Sequence, residues 1–338
     1  MTPARTLLAI LSLAVTAAAC AQQPGAPAAP PPPPPAAAPF TPGAWTLAIL
    51  PDTQIYAQKY PGLFTAQTGW LVANKDRINI RYAVHLGDIT NNNTPRQWQN
   101  ARDAMALLEG VVPCALVPGN HDYGPNGNAA TRDTLLNDYF PFEAYAAQPG
   151  FGGAMEPGRL DNTYHLFEAG NRLWIILCLE WAPRDSSVAW AGDIMRAHAD
   201  RTGILVTHAY MNNNDLRYDH ADSVNPQQYN PHHYKTPGGV NDGEQLWQKL
   251  VRKHNFAITL NGHVLGDGAG YLVSTSDTGK PVHQMLANYQ MRDLGGEGYL
   301  RLLEFQPDGA TIRVKTYTPV FDAWLTTPDQ QFEFTIAP

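Results

Sequence analysis

The sequence predicts an α/β fold in which a buried β-sheet is covered by helices. Short apolar runs typical of buried strands alternate with stretches that have helical periodicity. The apolar runs also end repeatedly in polar turns, and ligands of such sheets collect at the carboxyl ends of the strands. We therefore expect the core in the sheet and the functional site at its carboxyl edge.

Five apolar runs are the predicted strands that end in polar turns, at residues 45–50, 81–86, 111–117, 204–206 and 256–260. Four helical patterns accompany them, at about residues 62–77, 95–109, 186–199 and 243–254. Two antiparallel hairpins are predicted from paired runs around Gly- and Asn- or Asp-containing turns, at residues 163–168 with 172–180 and at residues 299–305 with 311–317.

The first 20 residues have the pattern of a cleaved export signal. Arg5 precedes an apolar stretch over residues 7–19, which is shorter than the roughly 20 residues needed to span a bilayer. Small residues precede Cys20 and resemble a bacterial lipoprotein cleavage site, although Ala17 stands where leucine is usual. The sequence predicts export to the periplasm, with lipid anchoring through Cys20 favoured over a soluble product.

Residues 21–42 are rich in proline and alanine and predict a stiff linker, so that residues 43–338 form the folded domain. The chain of 338 residues is 44% apolar, which suffices for a large core. Its net charge of -7 and its lack of basic runs do not support a nucleic-acid footprint. Cys114 and Cys178 both lie in apolar runs, and we expect two buried free thiols rather than a disulfide.

The five predicted strand ends carry ligand-type side chains, namely Asp52, Gln54, Asp88, Asn120, His121, His208 and His263. Carboxylate, amide and imidazole groups suit divalent metals such as manganese, iron or zinc. No single turn supplies enough ligands for one ion, whereas together they supply enough for two. Two such ions can clamp a phosphoryl group and convert a bound water into hydroxide.

Five motifs carry a family resemblance. The stretches PDTQ, GD, GNHD, TH and GH, in this order and each after a predicted strand, resemble those of calcineurin-like metallophosphoesterases over residues 45–265. The resemblance implies a sandwich of two mixed β-sheets flanked by helices, with two divalent metal ions. It also implies hydrolysis of small-molecule phosphate mono- or diesters through a metal-activated hydroxide.

The resemblance implies a role for each motif residue. Asp52 and Gln54 would hold the first metal, Asp88 would bridge, and Asn120, His208 and His263 would hold the second. His121 would lie beside the phosphate as a catalytic residue, and Asn91 falls where some relatives carry an aspartate that orients this histidine.

Two positions depart from the family pattern, and both affect the first metal. Gln54 stands where histidine is usual, and Leu265 replaces the second histidine of the last motif. The first site is therefore expected to be weaker, or filled only with substrate present. Asp267, in the turn that follows Leu265, or a histidine of the long loop at residues 211–241 could replace the lost ligand, and the sequence leaves this open.

Residues 211–241 predict a functional loop, because they lack periodicity and are too many for an idle connection. His220, His232 and His233 in this loop are candidate substrate contacts. The departures at the first metal also leave an alternative open, a degenerate domain that binds phosphorylated or carbohydrate ligands without hydrolysing them. A metal hydrolase acting on another bond is a third possibility.

Overall fold

A computed structural model of the chain describes residues 39–337. The strands are β1 Trp45–Leu50, β2 Ile80–His85, β3 Cys114–Leu116, β4 Phe151–Ala154, β5 Thr163–Ala169, β6 Arg172–Leu179, β7 Thr202–Thr207, β8 Phe256–Asn261, β9 Ala269–Thr275, β10 Pro281–Ala287, β11 Leu300–Phe305, β12 Thr311–Thr318, β13 Ala323–Leu325 and β14 Phe332–Thr335. The helices are α1 Gln54–Lys59, α2 Pro61–Asn74, α3 Pro95–Met105, α4 Leu136–Tyr139, α5 Phe142–Ala146, α6 Asp185–Ala197, α7 Gly243–Lys249 and the short α8 Asp293–Gly296.

The strands form two mixed seven-stranded sheets. One has the order β13-β12-β11-β1-β2-β3, with β14 beside β12, and the other has the order β4-β5-β6-β7-β8-β10-β9. Strands β1, β2 and β3 run parallel, as do β6, β7, β8 and β10, while the remaining pairs are antiparallel. The predicted sandwich of two mixed sheets is confirmed. The five polar turns belong to two sheets, however, and not to the single sheet that the strand pattern first suggested.

The continuous apolar character of β1 follows from burial on both of its faces. Leu47 and Ile49 pack between the sheets, whereas Ala48 and Leu50 pack against helices α1, α2 and α3 on the outer face. Strand β6 divides its side chains in the same way between the inter-sheet core and the layer that includes α6 and α7. Because successive side chains of a strand point to opposite faces, a strand buried on both sides has no polar alternation.

Most predicted elements occur with shifted ends. The predicted strand at residues 111–117 is only Cys114–Leu116, because residues 106–113 form a 3₁₀ turn and an irregular connection. The helix predicted at residues 243–254 ends at Lys249 and continues as a 3₁₀ turn over Val251–Lys253. Both predicted hairpins are confirmed, as β5–β6 and β11–β12. The loop at residues 211–241 contains only an isolated bridge and one 3₁₀ turn.

The predicted signal segment, with Cys20, and most of the predicted linker lie outside the described residues. The last residues of that linker do contact the domain: the ring of Phe40 lies 6.1 Å from that of Trp324, and Lys315 Nζ lies 3.9 Å from the Phe40 ring centre. None of the helices within residues 39–337 has the length and apolar character needed to cross a membrane. Cys114 and Cys178 are buried and unpaired, as expected, and they lie in different packing layers.

Candidate metal centre

The predicted ligand side chains meet at one edge of the sandwich, where the parallel strands of both sheets end. Asp52 and Gln54 follow β1, Asp88 follows β2, Asn120 follows β3, His208 follows β7, and His263 follows β8. All six are at most 5% exposed. Polar side chains buried to this degree need partners, and the contacts among them define a candidate metal centre.

Two motif glycines are required by the close approach of the loops. A Cβ atom on Gly119 would lie 2.2 Å from Asp88 Oδ1 and 2.8 Å from His208 Nε2. A Cβ atom on Gly262 would lie 2.0 Å from Asp52 Oδ1. Any larger residue at either position would displace a predicted ligand, which is the physical reason for glycine before Asn120 and before His263.

Asp88, His208 and His263 form the tightest cluster of the centre. One ligand atom from each lies within 4.8 Å of the others, and His208 Nε2 lies 3.1 Å from Asp88 Oδ1. Asp88 and His263 both have left-handed backbone conformations, with φ of 48° and 75°. Such conformations are strained for residues other than glycine and occur preferentially at functional sites.

Main-chain carbonyls determine which imidazole nitrogens face the centre. His208 Nδ1 lies 2.8 Å from the Leu86 carbonyl oxygen, and His263 Nε2 lies 2.8 Å from that of Tyr229. A carbonyl oxygen can only accept, so these nitrogens donate, and in the neutral rings His208 Nε2 and His263 Nδ1 carry the lone pairs. Each ring is thereby held in the tautomer of a metal ligand.

The pKa values of the two imidazoles are shifted in opposite directions by their surroundings. Burial lowers the pKa of His263 to about 3, and the neighbouring His208 adds to this effect, so His263 is neutral near pH 7. Burial also acts against protonation of His208, but the Asp88 carboxylate outweighs it and raises the pKa of His208 to about 9. The buried Asp88 carboxylate therefore favours a positive charge at His208.

Three buried atoms of the centre have no hydrogen-bond partner within the described region: Asn120 Oδ1, Gln54 Oε1 and His208 Nε2. The His208 atom lies near Asp88, but without hydrogen-bond geometry. Buried polar atoms are rarely left without a partner, and two divalent cations would supply partners for all three atoms. Asp88, Asn120, His208 and His263 therefore fit a divalent ion.

The first metal position is built differently, because protein donors already contact its carboxylate. Asp52 accepts hydrogen bonds from the His263 main-chain nitrogen at 3.0 and 3.2 Å and from Asn288 Nδ2 at 3.0 Å. Burial raises the pKa of Asp52 well above its usual value, with His208 opposing the shift. Gln54 Nε2 donates to Asn91 Oδ1 at 3.2 Å, which leaves only its Oε1 for a metal. The residues fit an ion at this position less well.

Sequence reasoning missed Asn288, which follows β10 and supplies a sixth strand end to the centre. Its signal was an apolar run, Met285 to Ala287, followed by the polar turn Asn288-Tyr289-Gln290. The polar residues His283 and Gln284 directly precede this run and shorten it, so the strand pattern is weak.

His121 is anchored at the rim of the centre. Its main-chain nitrogen donates to Asp88 Oδ1 at 2.9 Å, and its Nδ1 lies 2.9 Å from the main-chain carbonyl oxygen of Asn91. The Asn91 side chain does not contact the imidazole, because it contacts Gln54 and Asn92 instead. Asn91 thus lies beside His121 as predicted, but it orients the ring through its main chain and not through its amide.

Asp122 ties two of the loops together. Its carboxylate accepts from the main-chain nitrogens of Ile89, Thr90 and Gly119 and from the Thr90 hydroxyl, at 2.7 to 3.0 Å. The Asp122 side chain is fully buried, so water cannot take the place of its carboxylate as the acceptor for these four donors. It therefore fixes the loops that carry Asp88 and Asn120.

Neither open replacement for the lost histidine lies among the clustered ligands. Asp267 is exposed, and its Oδ1 accepts from the Ala269 nitrogen at 3.2 Å within its own turn. His220 and His232 pair with the buried Asp242, at 2.9 and 3.7 Å from its Oδ2, and form a separate cluster. His233 lines an open cavity formed by the loop. Substrate contact by these three histidines stays a prediction.

Comparisons with known proteins agree with this geometry. The profile of the family described as calcineurin-like phosphoesterase matches residues 46–267. The uncharacterized protein YvnB of Bacillus subtilis (strain 168) is 31% identical over 283 residues, which cover 81% of this chain and 20% of that protein. The chain thus spans about one fifth of the length of this curated relative.

Two solved structures align with most of this chain. Purple acid phosphatase PPD1 from yellow lupin (Lupinus luteus) seeds aligns with a TM-score of 0.50 and 13% identity, over 88% of this chain and 55% of that one. The NAD nucleotidase of Haemophilus influenzae aligns with a TM-score of 0.42 and 10% identity, over 87% and 50% of the two chains. At 13% identity, the similarity to the lupin enzyme supports the fold of this chain and nothing about its activity.

Proposed function

Because the chain belongs to the calcineurin-like phosphoesterase family, we propose that it hydrolyses phosphate mono- or diesters of small molecules with the aid of divalent metal ions. One observation carries the proposal: Asp88, His208 and His263 bring one ligand atom each to within 4.8 Å of the others, and the buried Asn120 Oδ1, after a fourth strand, has no hydrogen-bond partner in the described region. This arrangement supports the assignment of these motif residues as metal ligands.

The proposed ligands divide into two sets. Asp88, Asn120, His208 and His263 would hold one ion, and Asp52, Gln54 and the shared Asp88 a second one. Bound divalent ions would offset the negative charge of the phosphate oxygens and lower the pKa of a coordinated water. Manganese, iron and zinc all suit these ligands.

His121 is the proposed general acid. Its Nδ1 is held by the Asn91 carbonyl oxygen and donates to it, so its Nε2 is the nitrogen available to the substrate. The side chain is only partly buried, unlike the ligands beside it, and it can therefore reach a bound ester. Protonation of the leaving oxygen, or stabilisation of charge on the phosphate, would be its contribution.

A substrate panel tests the activity. The protein is freed of metal, reloaded separately with manganese, zinc, iron or magnesium, and assayed on phosphate mono- and diesters. We expect turnover that chelation abolishes and metal restores. Absence of turnover with every ester and metal, while phosphate esters still bind, would favour the non-hydrolytic alternative.

A substitution tests the mechanism. The His121→Ala variant should lose about 100-fold or more in turnover while it keeps its bound metal, because general acid catalysis contributes roughly 10² to 10⁴. His254→Ala is the matched control, since His254 lies two residues before the start of β8, at the end remote from His263. Activity of His121→Ala equal to that of the control would show that the assigned role is wrong.

We also propose that the protein is exported, on the basis of the signal-like residues 1–20, and anchored through Cys20. Expression in a bacterial host with detection in membrane and soluble periplasmic fractions tests this. Release of the Cys20→Ala variant from membranes into the periplasm is expected. If the wild type and Cys20→Ala are distributed equally between the two fractions, Cys20 does not anchor the protein, and only the proposal of export remains.

A further inference from the structure

An open cavity of about 780 Å³ lies beside the metal centre, within the loop at residues 211–241. It is lined by Pro226, Gln227, Gln228, Tyr229, His233 and Tyr234, which we call the aromatic cleft. Two of its rings also contact the centre: those of Tyr229 and Tyr234 lie 6.4 and 6.0 Å from the imidazole of His263. A phosphate held at the metals would therefore have its organic group next to this cleft.

Tyr229 joins the cleft to the centre through its main chain. Its carbonyl oxygen accepts from His263 Nε2 at 2.8 Å, which holds this ligand in its tautomer. Tyr229 has φ of 61°, a left-handed conformation that is unusual for a bulky residue, and its side chain is 44% exposed. A strained backbone with an exposed aromatic ring beside a metal ligand indicates a functional position.

The walls of the cleft are fixed in the free protein. The hydroxyl of Tyr218 donates to the Gln228 carbonyl oxygen at 3.0 Å, and the Gln227 amide bonds the main chain of Arg217 and Asp219, both at 2.7 Å. The Tyr234 ring packs edge-on against Trp181 at 4.9 Å. A site that is ordered before binding loses less entropy when a ligand enters.

The chemistry of the lining selects a class of ligand. The described residues around the cleft are two tyrosines, a proline, two glutamines and His233, with no Asp, Glu, Lys or Arg. Aromatic faces bind planar rings by stacking, and a lining without carboxylate, ammonium or guanidinium groups favours an uncharged group. Given the proposed phosphoesterase function, on which this inference rests, we propose that the aromatic cleft binds the organic group of the substrate, a planar, uncharged aromatic group such as a nucleoside.

Competitive inhibition tests the cleft separately from the metals. Inhibition constants of adenosine 5′-monophosphate, glycerol phosphate and inorganic phosphate are measured for the metal-loaded wild type, Tyr229→Ala and Tyr229→Phe. We expect Tyr229→Ala to raise the constant of the nucleotide roughly tenfold by loss of stacking. The constants of the two non-aromatic phosphates should stay within about twofold, and Tyr229→Phe should behave as wild type because it keeps the ring.

Each other outcome overturns a named part of the reasoning. If all three constants rise together in Tyr229→Ala, the residue acts through His263 and the cleft does not select the group. If none changes, the cleft does not bind this group, and if glycerol phosphate changes as much as the nucleotide, the site is not selective for aromatic rings. If no ester is turned over, the proposed function fails, and calorimetric titration of the manganese-loaded variants with the same three compounds still decides the cleft.

Discussion

Replacing Asp122 with asparagine removes the acceptor that holds two loops of the metal centre. In the wild type, Oδ2 accepts from the nitrogens of Ile89 and Gly119, and Oδ1 accepts from the nitrogen and hydroxyl of Thr90. Asparagine retains one oxygen, and its NH2 group would face two of the four donors, either the nitrogens of Ile89 and Gly119 or the nitrogen and hydroxyl of Thr90. Because the site is fully buried, water does not replace the lost acceptor.

The expected loss of stability follows from the number of buried donors that would lack an acceptor. Each buried donor left without an acceptor costs roughly 1–3 kcal/mol, so two donors cost about 2–6 kcal/mol. A folded region of about 300 residues has an unfolding entropy of ~0.6 kcal/mol/K, and each kcal/mol then lowers the Tm by ~1.6 °C. We therefore expect the Tm of Asp122→Asn to fall by roughly 3–10 °C.

Thermal unfolding of the metal-free protein at pH 8 measures this cost. Burial, with Asp88 adding to it, raises the pKa of Asp122 to about 6, so the carboxylate is ionised at that pH. Asp308→Asn is a matched control, because Asp308 also accepts from two main-chain nitrogens and a threonine hydroxyl, at 2.6 to 2.9 Å, but in an exposed turn. A Tm of Asp122→Asn equal to that of the control would refute the reasoning.

Three further predictions concern the metals and pH. Gly119→Ala would place a methyl carbon 2.2 Å from Asp88 Oδ1, so metal analysis should find the ion lost, whereas Gly62→Ala, with nothing within 4 Å, should retain it. Because Gln54 offers only an amide oxygen, we expect the wild type to bind one ion tightly and the ion at the Asp52–Gln54 position more weakly. Gln54→His should bind the weaker ion more tightly. Two equally tight ions in the wild type would contradict this. Burial lowers the pKa of His165 from 6.5 to about 3, so the unfolded chain binds more protons between these values and the free energy of unfolding falls as the pH drops through this window. Urea unfolding measures this free energy at pH values between 7 and 5. In His165→Phe it should fall less steeply with pH than in the wild type, by up to ~1.4 kcal/mol per pH unit. An equal pH dependence in the two proteins would show that His165 does not cause the fall.

The strand ends could be predicted from the sequence because local properties determine them. Strand β1 was predicted with its observed bounds, Trp45–Leu50, since burial on both faces makes its run continuously apolar. Strand β10 has a weaker apolar pattern because it contains the polar residues His283 and Gln284, and its end at Asn288 was not recognised as part of the site. The division of the strand ends between two sheets was not predictable from these runs, because it depends on pairing between distant segments, such as β1 with β11.

The contacts that were missed span long separations in the chain or involve main-chain groups that every residue has. Asn288 donates to Asp52, 236 positions away in the chain, and no local pattern records such a pair. Tyr229 and Asn91 orient His263 and His121 through carbonyl oxygens, so their side chains carry no signal of that role. A motif therefore identifies which atom types can bind a metal, whereas the tautomer that makes an imidazole a ligand is set by the main chain around it. The same distinction applies to the loop at residues 211–241, whose side chains and backbone serve different purposes. Its backbone orients His263 through the Tyr229 carbonyl oxygen, whereas the exposed Tyr229 ring is the part that we propose contacts the substrate.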